Sequence, residues 1–125
     1  MSSLRSTSSV VALLFVLGLA SKGLWACDLN DMLIGTVRSG REFKGQTEWN
    51  VTFTNRCKCP IKTIVLSCQG FQSAEPVSPS VLKVNGDQCL LYDGLQLKAG
   101  GSLSFSYAWD SPFNLTPKYI LPMGC

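Results

Sequence analysis

The chain of 125 residues contains no histidine, and this absence limits the chemistry that it can perform. Histidine is the most frequent general base in enzymes and a very frequent metal ligand. A serine or cysteine nucleophile would therefore have no histidine to activate it. The missing residue argues against catalysis and favours a protein that acts by binding.

Charge of either sign is also sparse, at 15% of the residues, with eleven lysines and arginines against eight aspartates and glutamates. Arg5 and Lys22 belong to the N-terminal leader described below, so the remainder carries nine basic against eight acidic residues. A nearly neutral chain is not expected to bind nucleic acid, which requires a concentrated basic face.

Eight acidic residues could still provide the two carboxylates of a glycosidase, but no spacing singles out a pair. Glu42, Glu48 and Asp110 are interpreted as solvated surface charges. We therefore predict that the protein is not an enzyme and that it uses no catalytic residue, no metal ion and no cofactor.

Only one apolar run is long, and it covers residues 10–20. A Ser-rich stretch with one cation precedes it and a polar, small-residue stretch follows, which is the order of a secretory signal peptide. The run is shorter than the ~20 residues of a membrane-spanning helix, the rival interpretation. We predict a signal peptide at 1–26, cleaved after Ala26 or, as second choice, Ala20. The mature domain, 27–125, would be secreted to the apoplast and not inserted in a membrane.

An even number of cysteines in an oxidising compartment predicts a disulfide framework. A metal site would need histidines or a second close thiolate pair, and a redox site would need a CxxC motif. Cys57 and Cys59 should not bond to each other, because adjacent strand residues point apart. All fifteen pairings otherwise remain open. The six cysteines are Cys27, Cys57, Cys59, Cys68, Cys89 and Cys125.

Alternating apolar and polar residues predict two half-buried strands, at 49–54 and 103–109. Their alternation places Trp49, Phe53, Tyr107 and Trp109 in the core. Further strands are predicted at 33–38, 61–68, 81–84, 89–92 and 119–123, with a short helical turn within 28–33. Turns are predicted at Ser39-Gly40, Asn85-Gly86, Asp93-Gly94 and Gly100-Gly101. This pattern predicts an all-β fold, a disulfide-stapled antiparallel β-sandwich of about seven short strands.

Several residues are candidates for modification or contact. Asn50 and Asn114 each begin an N-x-T sequon, the first on the polar face of a strand and the second in a Pro-flanked loop. Arg38, Arg41 and Lys44 lie in a predicted Gly-bounded loop, which is either a solvated loop or a contact patch for an acidic partner. Three aromatic residues lie beside predicted turns and are therefore expected at the surface: Phe71, Tyr92 and Phe113.

Six segments of the chain form an ordered set. They are Glu48-Trp49-Asn50-Val51, Asn55-Arg56-Cys57-Lys58-Cys59, Leu66-Ser67-Cys68-Gln69-Gly70-Phe71, Cys89-Leu90-Leu91, Phe105-Ser106-Tyr107-Ala108-Trp109-Asp110 and the terminal Cys125. Read in this order, they resemble the Tapetum Determinant family of small secreted plant proteins. Two positions depart from the family pattern, Thr47 ahead of Glu48-Trp49 and the apolar tail at 121–125.

The resemblance implies an extracellular ligand of a plasma-membrane leucine-rich-repeat receptor kinase, of the kind that specifies tapetal cell fate in anthers. On this hypothesis the receptor ectodomain is the partner, and its contacts are the turn-borne residues Arg38, Arg41, Lys44, Phe71 and Phe113. The alternative is a module that binds cell-wall polysaccharide through at least three coplanar aromatic rings on an exposed sheet face. A hydrolase, the third hypothesis, would need two facing carboxylates in a cleft.

Overall fold

The computed structural model of the protein describes residues 27–124, and its regular structure is almost entirely β-strand. Besides the strands there are two three-residue 3₁₀ turns, Leu29–Asp31 and Tyr92–Gly94. The prediction of an all-β fold with about seven strands is confirmed. The predicted leader with its cleavage site, and Cys125, lie outside the described residues. The seven strands are β1 (Met32–Phe43), β2 (Gln46–Asn55), β3 (Ile61–Ser67), β4 (Leu82–Asn85), β5 (Gln88–Leu91), β6 (Ser102–Ala108) and β7 (Thr116–Pro122).

The strands form two antiparallel sheets that enclose one core. A three-stranded sheet has the order β1-β2-β6, and a four-stranded sheet has the order β4-β5-β3-β7. Side chains alternate across each strand, so Val51 and Phe53 of β2 and Tyr107 of β6 point inward and are essentially inaccessible to solvent. They meet Ile64 and Leu66 of the four-stranded sheet in a single apolar cluster. The result is a β-sandwich.

The hairpin of β1 and β2 differs from the sequence prediction. The chain turns at Lys44 and Gly45, whose φ angles are 52° and 80°. Two consecutive positive φ angles are what a tight hairpin turn requires. The predicted turn at Ser39-Gly40 is wrong, because the strand continues through it with a register irregularity between Arg38 and Glu42. Such an irregularity bends a strand without ending it.

The connection between β3 and β4 covers the free edge of β6. The Ala74 amide donates to the Ala108 carbonyl at 2.8 Å, and the Ser73 hydroxyl accepts from the Ala108 amide at 3.0 Å. The Tyr92 hydroxyl donates to the Ser104 carbonyl on the same strand. These bonds occupy backbone groups that would otherwise offer a pairing edge to another chain.

Disulfide bonds fasten both ends of the sandwich. Cys27 bonds to Cys57, and Cys68 bonds to Cys89. Cys59 is disulfide-bonded as well. The prediction that Cys57 and Cys59 do not pair with each other is confirmed. The sulfur atoms of Cys27, Cys57 and Cys59 lie within 4.8 Å of one another, but bonded sulfurs offer no thiolate to a metal ion.

Candidate interaction surface

One end of the sandwich gathers the predicted contact residues, and we call it the hairpin-end surface. It consists of the β1–β2 hairpin from 38 to 48, residues 71–75 and residues 109–113. The Arg38 guanidinium lies 5.6 Å from the centroid of the Trp49 ring. Trp49 Nε1 in turn donates to the Trp109 carbonyl at 3.1 Å. Arg38 is therefore linked to the segment that follows β6.

Ring contacts continue from there across the surface. The Trp109 and Phe113 rings stack with centroids 6.3 Å apart, and the Phe113 and Phe71 rings are 5.3 Å apart. Each of the two phenylalanines also contacts the buried Tyr107 ring, at 5.7 Å and 5.2 Å. The structure thus brings Arg38, Phe71 and Phe113 onto one continuous surface, although they are far apart in the sequence.

The prediction that three aromatic side chains beside turns are exposed at the surface is only partly correct. Phe71, Tyr92 and Phe113 are half-buried, because they pack against the core instead of projecting from their turns. The predicted Gly-bounded loop is also wrong, since Arg38 and Arg41 lie on β1 and only Lys44 occupies a turn. All three cationic side chains are exposed, as a contact role requires.

An ion pair between the exposed Arg41 and the buried Glu48 underlies the cationic side of this surface. Arg41 Nε and Nη2 donate to the two carboxylate oxygens of Glu48 at 2.9 and 3.0 Å. The Ser39 hydroxyl donates to the same carboxylate at 2.7 Å. Glu48 is only 3% exposed, so its interpretation as a solvated charge is wrong. The hydrogen bonds from Arg41, followed by that from Ser39, lower the pKa of Glu48 to about 2.

Glu75 packs against this pair from the loop that covers β6. Burial is the main reason that the pKa of Glu75 is raised, and its contact with the Glu48 carboxylate raises it further. Glu75 Oε1 is buried, and no described group donates a hydrogen bond to it. Both carboxyls line an open cleft of about 290 Å³ together with Arg41, Glu42 and Phe43.

This pair does not have the geometry of a glycosidase. The two carboxyls of such an enzyme lie about 5 to 9.5 Å apart, with the scissile bond or a water molecule between them. Glu48 and Glu75 are in direct contact, and Arg41 occupies both oxygens of Glu48. The cleft therefore gives the hydrolase hypothesis no support.

We expect the folding stability to depend on pH in two opposite directions. The lowered pKa of Glu48 stabilises the fold above its ordinary pKa of 4.5, and this contribution is lost as the pH falls towards 2. The raised pKa of Glu75 has the reverse effect: its contribution is full below 4.5 and is lost as the pH rises through the raised value. Stability should therefore be greatest in mild acid.

Urea unfolding between pH 2 and pH 8 measures both effects. Glu75→Gln should remove the decline on the alkaline side, because an amide keeps the neutral form at every pH. In Arg41→Met, the loss of stability on the acid side should begin at a higher pH. Glu42→Gln, at an exposed residue of the same cleft, controls for the loss of one carboxylate. If the stability of Glu75→Gln still declines as the pH rises, this assignment is contradicted.

The polysaccharide-binding alternative required an exposed platform of coplanar rings, and that expectation is wrong. Trp49, Phe53 and Tyr107 are buried in the core, and Trp109 is half-buried. Phe113 is tilted by 48° relative to Phe71, so these rings are not coplanar either. Within residues 27–124, these aromatic side chains stabilise the sandwich and its rim and do not form a flat exposed face.

Two important residues were not identified from the sequence. Asn55 is fully buried and organises the segment that carries Cys57 and Cys59. A signal for it did exist, because Asn55 continues the inward alternation of Trp49, Val51 and Phe53. No sequence pattern identifies Glu75, which meets Glu48 only through the tertiary fold.

The described residues define a disulfide-bonded β-sandwich with a cationic and aromatic surface at one end. No helical segment within 27–124 is long and apolar enough to cross a membrane. The family model described as Tapetum determinant 1, C-terminal, matches residues 28–122. The chain belongs to this family, as its resemblance predicted.

Three curated plant proteins are similar to the chain, and it spans about one third to three fifths of their lengths. TPD1 protein homolog 1 of Arabidopsis thaliana is 35% identical over 85 residues, which cover 66% of this chain and 48% of the relative. TPD1 protein homolog 1A of Oryza sativa subsp. japonica is 36% identical over 81 residues, 58% of this chain and 36% of the relative. An uncharacterized Arabidopsis thaliana protein is 35% identical over 83 residues, 64% and 61% of the two chains. No solved structure matches the chain significantly.

Proposed function

We propose that the protein is a secreted extracellular ligand of a plasma-membrane leucine-rich-repeat receptor kinase, of the kind that specifies tapetal cell fate in anthers. Membership of the Tapetum determinant 1 family is the observation that carries this proposal. The apolar leader and the disulfide bonds support secretion, since such bonds persist in oxidising compartments. On this proposal the protein acts by binding and performs no catalysis.

The hairpin-end surface is the proposed receptor contact. Repeat receptors present an extended concave surface, and interfaces often combine arginine with aromatic side chains at their energetic centre. Arg38, which rests on Trp49, and Lys44, which lies over the Phe43 ring at the hairpin turn, supply exposed positive charge. The half-buried rings of Phe71 and Phe113 add apolar surface at the same end of the sandwich. Because disulfide bonds already hold the domain rigid, docking would cost little conformational entropy.

Arg41 has a different role on this proposal. Its guanidinium is bonded to both oxygens of Glu48, so it is less available for a partner's carboxylate than Arg38 or Lys44. We assign it to holding the hairpin against the loop at 73–75. A receptor carboxylate should therefore meet Arg38 and Lys44 first.

Binding to a panel of purified leucine-rich-repeat ectodomains tests the proposal. Charge reversal in Arg38→Glu/Lys44→Glu should weaken binding by at least about tenfold, mainly through slower association when the partner surface is acidic. Lys98→Glu/Lys58→Glu is the matched control, because these exposed lysines lie at the Asn55 end of β2, opposite the hairpin.

The possible results distinguish the receptor-ligand role from the position of the contact surface. If the wild-type protein, with its disulfide bonds formed, binds none of the ectodomains, the receptor-ligand proposal fails. If it binds and the two double variants weaken binding equally, the ligand role stands and the hairpin end is not the contact. Thermal unfolding of each variant checks that the substitutions have left the fold intact.

A further inference from the structure

The outer face of the three-stranded sheet is mostly polar. Beyond the buried pair Glu48–Ala108, strand alternation brings nine residues to this face in three rows across β1, β2 and β6. The side chains of one row lie opposite each other, with Cβ atoms about 5 Å apart. The rows are Leu33–Thr54–Ser102, Gly35–Thr52–Ser104 and Val37–Asn50–Ser106.

The three residues that β2 contributes to this face, and the three that β6 contributes, all carry a hydroxyl or an amide group. Thr54 and Ser102 share a hydrogen bond of 2.9 Å, and the Ser106 hydroxyl donates to Asn50 Oδ1 at 2.6 Å. None of the nine residues is charged or aromatic, so the face is flat and hydrogen-bonding. Flat polar faces of this kind can accept the hydroxyl groups of a sugar.

The residues that β1 contributes to this face have no polar side chain and are exposed. Leu33 is 51% exposed and Val37 is 63% exposed, and Gly35 between them adds no side chain. Leu33 and Val37 are separated by Gly35, so Val37 is a single exposed apolar side chain on an otherwise polar part of the face. Asn50 lies directly opposite Val37 in the register and begins the sequon Asn50-Val51-Thr52.

We propose that an N-linked glycan on Asn50 lies across this face and covers Val37. Asn50 is exposed, and its Oδ1 is held by Ser106. That bond leaves Nδ2, the atom to which the sugar is attached, without a hydrogen-bond acceptor among the described residues. The side chain therefore presents the reactive nitrogen outward from the middle of a rigid sheet.

The modification requires a co-reactant of the secretory pathway, a lipid diphosphate that carries an oligosaccharide. The Asn50 Nδ2 bonds to C1 of the first N-acetylglucosamine and loses one proton. The C1–O bond to the diphosphate breaks, and the lipid diphosphate leaves with the electron pair. No oxidation or reduction occurs.

The attached sugar can contact both the apolar and the polar side chains of this face. The N-acetyl methyl group and the apolar side of the first ring can pack on Val37, while the ring hydroxyls reach Thr52 and Ser104. No atom lies within 4 Å of a side-chain carbon built on Gly35, so the space beside that glycine is open to the second sugar. Burying the Val37 methyls under the sugar removes apolar surface from water.

This inference rests on the proposed secretion of the chain and deepens the proposed function. A glycan on this face would exclude a receptor from the rows that it covers. Asn114, the second sequon, is exposed in the loop before β7 and supplies an internal control. Its modification reports that the chain has entered the secretory pathway, whatever happens at Asn50.

The test uses the full chain expressed in secreting cells that make only high-mannose glycans. Mass spectrometry of peptides from the wild type, Asn50→Gln and Asn114→Gln identifies the occupied sites. Endoglycosidase H then leaves a single N-acetylglucosamine on the folded protein. We expect nuclear Overhauser effects between its N-acetyl methyl group and the Val37 methyls. Val37→Ser should abolish that contact and leave the occupancy of Asn50 unchanged.

Four results would overturn the inference. If Asn114 is modified and Asn50 is not, the glycan cover is wrong while secretion stands. If the chain stays in the cell and neither site is modified, both the inference and the proposed secretion fail. If Asn50 is occupied but its sugar makes no contact with Val37, or if an unmodified chain forms dimers that Val37→Ser separates, something other than the glycan covers the face.

Discussion

Replacing Cys68 and Cys89 together by alanine lowers the free energy of unfolding by about 3 kcal/mol, on the entropy of closing a loop of this length. The bond joins residues separated by 21 positions, and both cysteines are fully buried. Since domains of this size are stable by only ~5–15 kcal/mol, the loss removes roughly a fifth to three fifths of the total stability. Urea unfolding under oxidising conditions measures the loss.

The location of this bond gives a second measurement. It fastens the end of β3 to β5, and Cys68 also begins the connection that covers the edge of β6. Without the bond, the amide of Ala74, which donates to the Ala108 carbonyl, should exchange faster with deuterated solvent. The exchange of amides in the β1–β2 hairpin should change much less.

A volume control separates the covalent link from packing. Cys68→Ala/Cys89→Val restores much of the lost side-chain volume but no crosslink. If the link is responsible, this variant stays nearly as unstable as the double alanine variant. Full recovery of stability would mean that packing accounts for the effect, and a loss below about 1 kcal/mol in both variants would contradict the crosslink argument.

The fold could be predicted from the sequence because alternation is a local signal. Residues 49–54 and 103–109 alternate apolar and polar side chains, and in the structure they pair with each other, Val51 opposite Phe105. The register follows from this alternation, since a shift by one residue would expose Trp49 and Phe53. The prediction that Cys57 and Cys59 do not pair was correct, but strand alternation is not the reason. The two cysteines lie in a bend between β2 and β3, and residues two apart on a strand would share a face.

The hairpin was harder to predict because two sequence signals for a turn lie close together. Ser39-Gly40 and Lys44-Gly45 both contain a glycine, and both glycines have positive φ angles in the structure, 94° and 80°. Only the second pair reverses the chain. The bidentate bond between Arg41 and Glu48 joins the strands between the two sites, and no local pattern indicates it.

The candidate surface could be predicted only in part. Exposed cations were identified from composition, but the fold decides that Arg41 is bonded to Glu48 while Arg38 rests on Trp49. Phe71 and Phe113 were expected to project because they flank turns. They lie partly buried because the Tyr107 ring, from a strand distant in sequence, provides a surface for both.

Asn55 offers the largest expected effect of a single substitution. Its side chain is fully buried, and Nδ2 donates to the carbonyls of Cys59, Leu97 and Lys98 at 3.0, 3.3 and 3.1 Å. Its Oδ1 accepts from the Cys57 amide at 3.0 Å. Leu97 in turn pairs with Ile61 at the start of β3. One side chain therefore connects the three-stranded sheet, the Cys57–Cys59 segment and the four-stranded sheet.

Asn55→Ala should destabilise the protein by about 4 kcal/mol, because each buried group left without a partner costs ~1–3 kcal/mol. The variant leaves the buried Cys57 amide and Cys59 carbonyl without their side-chain partner. The carbonyls of Leu97 and Lys98 keep the backbone amides of Ile61 and Gly101 as donors. Urea unfolding measures this loss, and mass spectrometry after alkylation reports whether the disulfide bonds of Cys57 and Cys59 still form.

One further variant separates the donor half of the Asn55 side chain from its acceptor half, and a second variant is a control at another asparagine. Asn55→Asp keeps the shape and the acceptor for the Cys57 amide, but it replaces the donor with an oxygen that faces three carbonyls. It should be at least as destabilising as alanine at neutral pH, since a buried charge would lack a partner. Asn30→Ala, at an exposed asparagine, should stay within about 0.5 kcal/mol of the wild type. A loss below ~1 kcal/mol in Asn55→Ala would mean that water replaces these hydrogen bonds.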